Sequence, residues 1–235
     1  MVLTGTIING LAIIIGSLFG LLVRNIPEKM KVTIMQGIGL AVFVLGIEMS
    51  LNSEQYLIVI GSIVLGGLIG EKVDVERRLN HLGEWIESKI GSSKDGAIAK
   101  AFVTATLIYV VGAMAVLGAI DSGLRGDHSI LYTKSMLDGF SAIIFTSTLG
   151  IGVIFSAIPV LVYQGGIAIL ATQINEYVPE ALMQAFIVEM SAVGGIMIIA
   201  IGLNLLGIIQ IRVANLLPSI AIVALLVSII HMIGH

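Results

Sequence analysis

Seven polar or ionisable residues stand within or beside long apolar stretches, where their types suit the binding of an ion or a solute. Lys134 and Asp138 are four residues apart in KSMLDGF, so on a helix they share one face and can pair. Glu189 is flanked by AFIV and MSAV and has the most apolar surroundings of the carboxylates. Such groups are costly in a membrane and mark transport paths. We predict that a path is lined by these residues: Asn9, Glu48, Lys134, Asp138, Gln164, Glu189 and Asn204.

Structural interpretations of the same residues stay open. The sequence is equally compatible with a salt bridge between Lys134 and Asp138 at the non-cytoplasmic interface, and with a hydrogen bond from Glu189 that holds helices together. Glu48 is followed closely by Ser50 and Asn52, which favours snorkelling to the outer interface over ligand binding. Glu189 is the first candidate for ion or proton coupling.

The backbone between residues 147 and 166 is also unusual, since STLGIGV, SAIPV and YQGG concentrate Ser, Thr, Gly and Pro. Proline breaks the helical hydrogen-bond ladder, and unwound backbone at membrane depth exposes groups that can hold ions or substrate. Tight packing through small residues is the alternative. We predict that the helices bend or unwind at Gly150, Gly152, Pro159, Gly165 and Gly166.

Composition requires that membrane-spanning helices position these residues. The 235-residue chain is 57% hydrophobic and only 11% charged, and its mean hydropathy is +1.07. That leaves too little polar surface to coat a soluble globule, so the chain must be solvated by the lipid bilayer. Twenty-eight glycines suit close packing of membrane helices, and the absence of cysteine excludes disulfides and thiol chemistry.

The apolar stretches predict an all-α polytopic transmembrane bundle in a single domain, 1–235. Crossing the hydrocarbon takes about 20 apolar residues in a helix. Eight segments meet or approach that length, with Pro159 as the expected hinge between the fifth and sixth: 4–23, 33–51, 56–70, 99–120, 135–156, 159–175, 182–208 and 214–233. The alternative is seven spans, with 135–175 as one kinked element.

The distribution of Lys and Arg predicts the orientation, because cytoplasmic loops carry the excess. With eight spans, ten basic residues fall on one side, and only Arg125 and Lys134 fall on the other. We therefore predict a multi-pass protein of the cell (inner) membrane, with both termini outside and the basic loops cytoplasmic. The ten are Arg24, Lys29, Lys31, Lys72, Arg77, Arg78, Lys89, Lys94, Lys100 and Arg212.

The one extended polar strip, 71–98, predicts an amphipathic helix over 74–90. Apolar residues recur there at helical spacing opposite charged ones, and the single tryptophan, Trp85, suits the depth of the membrane interface. We interpret the strip as a cytoplasmic interfacial anchor, and recruitment of a partner is the alternative.

A weak internal similarity predicts an inverted repeat, 4–70 and 159–233, separated by the strip and the central spans 99–158. Asn9-Gly10 matches Gln164-Gly165, and both are followed by a turn with Pro-Glu. In the next helix three residues match in order, namely Gly39, Gly46 and Glu48 with Gly195, Gly202 and Asn204. Five crossings between the copies turn the second one upside down, the architecture of many secondary transporters.

Several functional classes are excluded by what the sequence lacks. The four histidines lie in loops or near the C-terminus without metal-ligand spacing, and the glycine runs lie inside apolar spans rather than between a strand and a helix. We expect no enzyme activity, no cofactor and no metal. The scattered basic residues do not form a nucleic-acid surface.

Five segments together resemble the YqgA/YdfK-type family of uncharacterised bacterial and archaeal multi-pass membrane proteins. They are NGLAIIIGSLFGLL, MQGIGLAVFVLGIEM, VGAMAVLGAIDSGLRGD, KSMLDGF and GIGVIFSAIPVLVYQGG. The resemblance runs along nearly the whole chain and implies a membrane location and a compact helical fold, without a transferable activity. Its motif positions include Lys134, Asp138, Ser156, Gln164 and Gly165.

These observations predict a transporter or channel for an ion or small solute, with a polar path between the two repeats. Small-residue faces favour a homo-oligomer. The alternative from another class is a non-transporting membrane scaffold or stress-linked factor that acts through its cytoplasmic amphipathic helix.

Overall fold

The computed structural model describes residues 1–23, 27–90 and 96–233, and across those residues the chain forms helices and no strand. The prediction of an all-α fold is confirmed. Two 3₁₀ helices, Ile151–Ser156 and Val213–Leu216, precede α8 and α10. The α-helices are α1 Thr4–Leu22, α2 Glu28–Ser50, α3 Tyr56–Val73, α4 Val75–Ile90, α5 Ala97–Val110, α6 Ala113–Leu124, α7 Ser129–Leu149, α8 Ala157–Tyr177, α9 Glu180–Leu206 and α10 Pro218–Ile233.

Polar residues lie inside this fold and large apolar residues lie outside. On α1, Asn9 and Ser17 are fully buried, whereas Leu18 and Phe19 are more than half exposed, at 51% and 57%. Exposed leucine and phenylalanine side chains on every turn would be unfavourable in water, and lipid solvates them without cost. The protein is a membrane protein whose helices show their apolar faces to the bilayer.

Six helical stretches are long and apolar enough to cross a membrane: Thr4–Leu22, Val32–Ser50, Tyr56–Val73, Ile151–Tyr177, Glu180–Leu206 and Val213–Ile233. A seventh crossing results if α5 and α6 form one broken span. Helix α7 is not among these stretches, and Lys134, Asp138 and its several hydroxyl side chains account for its lower hydropathy. The predicted eighth span therefore depends on α7.

The backbone break after α7 is at Gly150, and not at Pro159 as expected. Gly150 has a φ of +101°, which glycine adopts without a Cβ clash, and it ends α7. Gly152 lies in the 3₁₀ helix that follows. Pro159 lies in the first turn of α8, where its missing N–H breaks no helical hydrogen bond. Gly165 and Gly166 are ordinary helical residues of α8, so the breaks predicted at these last three positions are wrong.

The sequence did not indicate a second break, which divides the predicted span 99–120. Helices α5 and α6 are bent by 61° relative to each other. Val111 is extended, and Gly112 has a φ of +140°. A lone glycine in an apolar run is usually a packing residue, so only the structure distinguishes Gly112 from the many glycines that stay helical.

The chain forms two compact units, each built from separated segments. The first unit consists of Met1–Val32 and Leu79–Glu176, and the second consists of Thr33–Arg78 and Tyr177–His235. Helices α1 and α5 to α8 therefore belong to the first unit, and α3, α9 and α10 belong to the second. Each unit combines a helix of the first predicted repeat with a helix of the second.

Helix α1 of the first unit packs against both α7 and α8. Along α7 it runs in the same direction, because Gly5 faces Leu131, Gly16 faces Gly139 and Gly20 faces Ile143. Along α8 it runs in the opposite direction, because Gly10 faces Leu161 whereas the earlier residues Leu3 and Thr6 face Gly165.

Glycines also hold the helices of the second unit together, in two antiparallel pairs. A Cβ built on Gly46 of α2 would lie 2.6 Å from the carbonyl oxygen of Gly195 on α9. Further along the same two helices, one built on Gly39 would lie 3.2 Å from the Gly202 carbonyl. Helix α3 packs on α10 and its preceding turn in the same way, with Gly66 against Ser219 and Gly70 against Asn215.

Candidate functional site

Four of the predicted residues meet in the core of the first unit, and we name this group the buried polar cluster. It consists of Asn9 on α1, Lys134 and Asp138 on α7, and Gln164 on α8, none of them more than 7% exposed. The Lys134 ammonium nitrogen lies 2.9 Å from Asp138 Oδ1 and 2.7 Å from Asp138 Oδ2. The Asn9 side-chain amide donates to Asp138 Oδ2 at 3.1 Å and to Gln164 Oε1 at 3.2 Å.

Small residues bring these three helices within hydrogen-bonding reach. The backbone of α1 touches that of α7 where Gly16 meets the Gly139 carbonyl, a contact that no side chain at position 16 would permit. Beside Asn9, a Cβ on Gly10 would lie 2.7 Å from Leu161 Cδ2 of α8. The cluster therefore depends on the glycines of the N-terminal helix, which the sequence indicated only as packing residues.

The order of the ion pair along α7 argues against a role in stabilising that helix. An i,i+4 pair stabilises a helix better when the acid precedes the base, because each charge then suits the nearer end of the helix dipole. Lys134 precedes Asp138, so this pair has the less favourable order. Its contacts with α1 and α8 are the better explanation for two charges in this core.

Three polar atoms around the cluster have no partner among the described residues: Thr6 Oγ1, Asn9 Oδ1 and Gln164 Nε2. A buried polar group without a partner costs about 1–3 kcal/mol, so buried groups of this kind usually hold water or a ligand. The cluster offers a donor at Gln164, an acceptor at Asn9 and a hydroxyl at Thr6 beside an ion pair of zero net charge. Such a set suits a small polar guest.

Two further residues extend the cluster, and neither is among the predicted path residues. The Ser141 hydroxyl lies 3.0 Å from the backbone oxygen of Asp138 and 3.3 Å from the hydroxyl of Tyr109, which is 1% exposed. Ser141 follows Asp138 by three residues and so shares its face of α7. That spacing is a signal in the sequence, whereas nothing there distinguishes Tyr109 on α5.

Glu189 belongs to the second unit, and its partners come from the turn before α3. Although it is only 2% exposed, its carboxylate accepts three hydrogen bonds. The donors are the Ser53 hydroxyl at 2.6 Å and the backbone N–H groups of Glu54 and Gln55 at 3.0 and 2.9 Å. Because α3 begins at Tyr56, the carboxylate caps the positive end of this helix. Glu189 thus joins α9 to α3.

The other two predicted path residues also lie in the second unit, away from any buried charge pair. Glu48 is exposed near the end of α2, and its snorkelling to the outer interface stays a prediction. Asn204 exchanges two hydrogen bonds of 2.8 Å with the backbone of Ile211, so it holds the turn after α9. Asn204 therefore shapes this turn.

Gly152, which follows the break at Gly150, serves packing in the first unit. A Cβ on Gly152 would collide with the Ile98 carbonyl and lie 2.9 Å from Ala101, both on α5. The 3₁₀ helix therefore lies directly on the backbone of α5. This fits the packing alternative for Gly152, whereas a Cβ on Gly150 would meet nothing within 4 Å.

Charged side chains join α3, α4 and the turn before α10 at one end of the second unit. Arg212 Nη2 lies 2.6 Å from Glu71 Oε1, and Asn215 donates to Glu71 Oε2 at 2.8 Å. Asn215 also accepts the Glu76 backbone N–H at 2.7 Å, while Glu76 Oε2 accepts the Ala214 N–H at 3.0 Å. Partial burial raises the pKa of the Glu76 carboxyl, opposed by the Ala214 N–H and by the charge of Arg212.

Helix α4 agrees with the predicted amphipathic helix, although it is oriented differently from the simple pattern. Gly83 packs on Ala99, and Ile86 is 8% exposed. Glu87, one of the charged residues of the strip, is also only 8% exposed, whereas Leu82 and Trp85 are 45% and 59% exposed. The orientation of the protein in the membrane was predicted from ten basic residues. Two of them, Arg24 and Lys94, lie outside the described residues.

Comparison with known proteins identifies the same family throughout the chain. The family described as "Protein of unknown function (DUF554)" matches residues 4–228. The chain is 34% identical over 235 residues to the uncharacterized membrane protein YdfK of Bacillus subtilis (strain 168), covering 98% of each chain. It is 32% identical over 221 residues to the uncharacterized protein YqgA of Escherichia coli (strain K12), covering 92% of each. No solved structure matches.

Proposed function

The chain belongs to the DUF554 family of membrane proteins, and from that premise we propose that it moves an ion or small polar solute across the cell membrane through the buried polar cluster. The observation that carries the proposal is the cluster itself. A Lys–Asp pair, two buried amides and three unpartnered polar atoms lie in a bundle whose outer faces are solvated by lipid. Ionisable groups in such bundles typically face a substrate or ion path.

Helix directions in the first unit support eight crossings. If α1, α2 and α3 each cross once, the chain then lies on the side opposite its N-terminus. Helix α7 runs parallel to α1, which requires that α5 and α6 together cross back first. Helix α8 runs antiparallel to α1, which requires that α7 crosses as well. With eight crossings, both termini lie on one side of the membrane and most of the basic loop residues lie on the other. Because basic loops are usually cytoplasmic, this favours termini outside and basic loops inside the inner membrane.

The proposed inverted repeat is supported by how the matched residues contact each other. Gly39 matches Gly195 in the alignment of the repeats but contacts Gly202, while Gly46 matches Gly202 but contacts Gly195. This crossed pattern is what a two-fold axis between two copies produces. In the first unit Asn9 bonds directly to its own match, Gln164, as residues on such an axis do.

A double variant tests the path while keeping the core neutral. Lys134→Met with Asp138→Leu removes both charges together and leaves neither one buried alone. We expect proteoliposomes with this variant to lose the flux of the wild type. Osmotic swelling of the vesicles, repeated in a series of salts and small neutral solutes, measures that flux for each class of solute. Unitary currents in planar bilayers would identify a channel, and slow saturable flux without them would identify a carrier.

The matched control is the exposed pair Asp121–Arg125, which has the same four-residue spacing in the same unit. Arg125 Nη1 lies 3.6 Å from Asp121 Oδ1, and the side chains of Asp121 and Arg125 are 24% and 74% exposed. Asp121→Asn with Arg125→Gln should leave flux unchanged. Equal flux in the Lys134/Asp138 double variant and the wild type would contradict the proposed path. Flux equal to that of empty vesicles for every solute would contradict transport itself.

One observation favours the second candidate, a membrane scaffold. Leu82 and Trp85 are exposed on α4, beside the charged residues of that helix. This arrangement suits an interfacial anchor, and it also suits recruitment of a partner. Changing Leu82 and Trp85 to Ala together separates the two functions, because a scaffold loses its cellular role while flux in vesicles is retained.

We also propose a homo-oligomer, which cross-linking in the native membrane tests.

A further inference from the structure

A cavity of about 240 Å³ lies in the second unit, between the beginning of α3 and the end of α10. We name it the α3–α10 cavity. Carboxylate, amide and imidazole groups line one part, and short aliphatic side chains line the other. The lining residues are Glu54, Gln55, Ile58, Ala185, Glu189, Val227, Ile230 and His231.

The polar part of the cavity carries negative charge at a fixed position. Glu189 is held by three donors, whereas a carboxylate has about four acceptor sites, so accepting capacity is left beside the cavity. Glu54 adds a second carboxylate. The two carboxylates outnumber the one imidazole, His231, and none of the described lining residues is Lys or Arg. A cationic guest is therefore favoured over an anionic or neutral one.

The chemistry of the lining favours an ammonium over a metal ion. Within the described residues, no group of three or more His, Cys, Asp and Glu side chains is arranged to hold a metal. An ammonium needs only acceptors, and it has three N–H donors for Glu189, Glu54 and the Gln55 amide oxygen. A hydrated ion would keep water against the aliphatic walls at Ile58, Val227 and Ile230, whereas a carbon chain would remove these walls from water.

A second, apolar cavity, open at Leu57, which is 85% exposed, continues the first and supplies room for that chain. Its volume is about 430 Å³, and it shares Gln55, Ile58 and Ile230 with the α3–α10 cavity. The residues it adds are Tyr56, Leu57 and Leu226. We propose that the two cavities together bind a primary alkylammonium, with the ammonium at Glu189 and the hydrocarbon along Leu57 and Leu226. The site belongs to the second unit and does not depend on the buried polar cluster.

Two sources can supply such a group, namely a soluble alkylamine or the ethanolamine headgroup of a membrane lipid. Calorimetric titration of the purified wild type with hexylamine tests the shared chemistry. Hexanol controls for the chain, and hexyltrimethylammonium keeps the charge but has no N–H donor. We expect hexylamine to bind at least about tenfold more tightly than either, since a charge-assisted hydrogen bond contributes that much.

Variants locate the site without depending on a single substitution. Glu189→Gln should weaken hexylamine binding about tenfold or more, but it also alters the cap of α3. Glu54→Gln removes a cavity charge and leaves the backbone N–H that Glu189 accepts, and Ala185→Leu fills the cavity while both carboxylates stay. Each should weaken binding, whereas Glu48→Gln, an exposed carboxylate of the same unit outside the cavity, should not.

Nanodiscs distinguish the two sources. Greater thermal stability in phosphatidylethanolamine than in phosphatidylcholine, lost in Glu54→Gln and Ala185→Leu, would assign the site to a lipid. Hexylamine binding without that lipid preference would assign it to a soluble amine. The proposal is overturned if neither effect occurs, or if the cavity variants respond as the wild type does.

Discussion

Asp138 and Glu189 are both buried carboxylates on apolar helices, and the structure partners them in opposite ways. Asp138 is neutralised by a side chain, the Lys134 ammonium, and accepts a hydrogen bond from the Asn9 amide of another helix. Glu189 receives no cation in the contacts of its turn and relies on the Ser53 hydroxyl and two backbone N–H groups. The first arrangement can change its partners, whereas the second is part of the backbone architecture.

This difference decides which carboxylate suits a transport path. Side chains on three helices can exchange partners when the helices shift or a solute enters, as alternating access requires. A carboxylate that caps α3 cannot leave without exposing the N–H groups at the beginning of that helix. Transport chemistry therefore fits the first unit better, and Glu189 fits a fixed charge that holds helices or a bound guest.

The largest expected effect is on stability and concerns Asp138. Asp138→Leu leaves the Lys134 ammonium buried without its partner, and such a change costs about 3–5 kcal/mol. We expect a loss of this size in the free energy of unfolding, measured in mixed detergent micelles. Adding Lys134→Met should restore most of it, because the buried charge is then gone.

The exposed pair provides the control for this effect. Asp121→Asn should change the free energy of unfolding by less than about 0.5 kcal/mol, because that pair is in contact with solvent. If Lys134→Met failed to rescue Asp138→Leu, the aspartate would be needed for its own hydrogen bonds and not for neutralising the lysine. The contrast with Glu189 would then disappear.

An intermediate effect is expected at Glu189. Glu189→Ala removes the cap of α3, and loss of a helix cap costs about 1–2 kcal/mol. The donors in the turn are a hydroxyl and two backbone N–H groups and include no cation. Glu189→Ala therefore has no counterpart to Lys134→Met, that is, no removal of a lysine charge that restores the lost stability. Glu189→Gln, which keeps an acceptor oxygen, should recover part of the loss in the same unfolding measurement. Full recovery by Gln would show that the charge contributes nothing to the cap.

The sequence predicts which groups need partners better than it predicts what the partners are. The four-residue spacing of Lys134 and Asp138 indicates their ion pair directly. Asn9 and Gln164 are recognisable as amides in apolar helices, and the weak repeat even matches them to each other. The partners of Glu189 are backbone groups more than 130 residues earlier in the chain, which no property of residue type reveals.

Backbone breaks are the least predictable part, for a similar reason. Pro159 is the obvious helix breaker, yet it lies where a proline costs nothing, in the first turn of α8. The real breaks are at Gly112 and Gly150. Glycine allows a helical or a positive φ equally well, so the choice depends on the packing of neighbouring helices. The division into two units likewise depends on contacts between distant segments.

The smallest expected effect concerns Glu76, a carboxylate outside the membrane spans with one backbone donor. Burial raises the pKa of Glu76 above its usual 4.5, and the Ala214 N–H and Arg212 lower it only in part. A carboxyl whose folded-state pKa is raised binds its proton more tightly in the folded protein. Its contribution to stability is therefore fully present below about pH 4.5 and is lost as pH rises through the raised pKa.

Glu76→Gln keeps an acceptor for the Ala214 N–H and removes the titration. Relative to the wild type, the variant should gain stability as pH rises from about 4 to about 7, by a small amount because the side chain is about half buried. Unfolding curves at a series of pH values measure the difference. A wild type that instead gains stability over the variant as pH rises would mean that Ala214 and Arg212 outweigh burial. One backbone N–H and the charge of Arg212 would then suffice to hold the Glu76 carboxylate, whereas Glu189 is held by three hydrogen-bond donors.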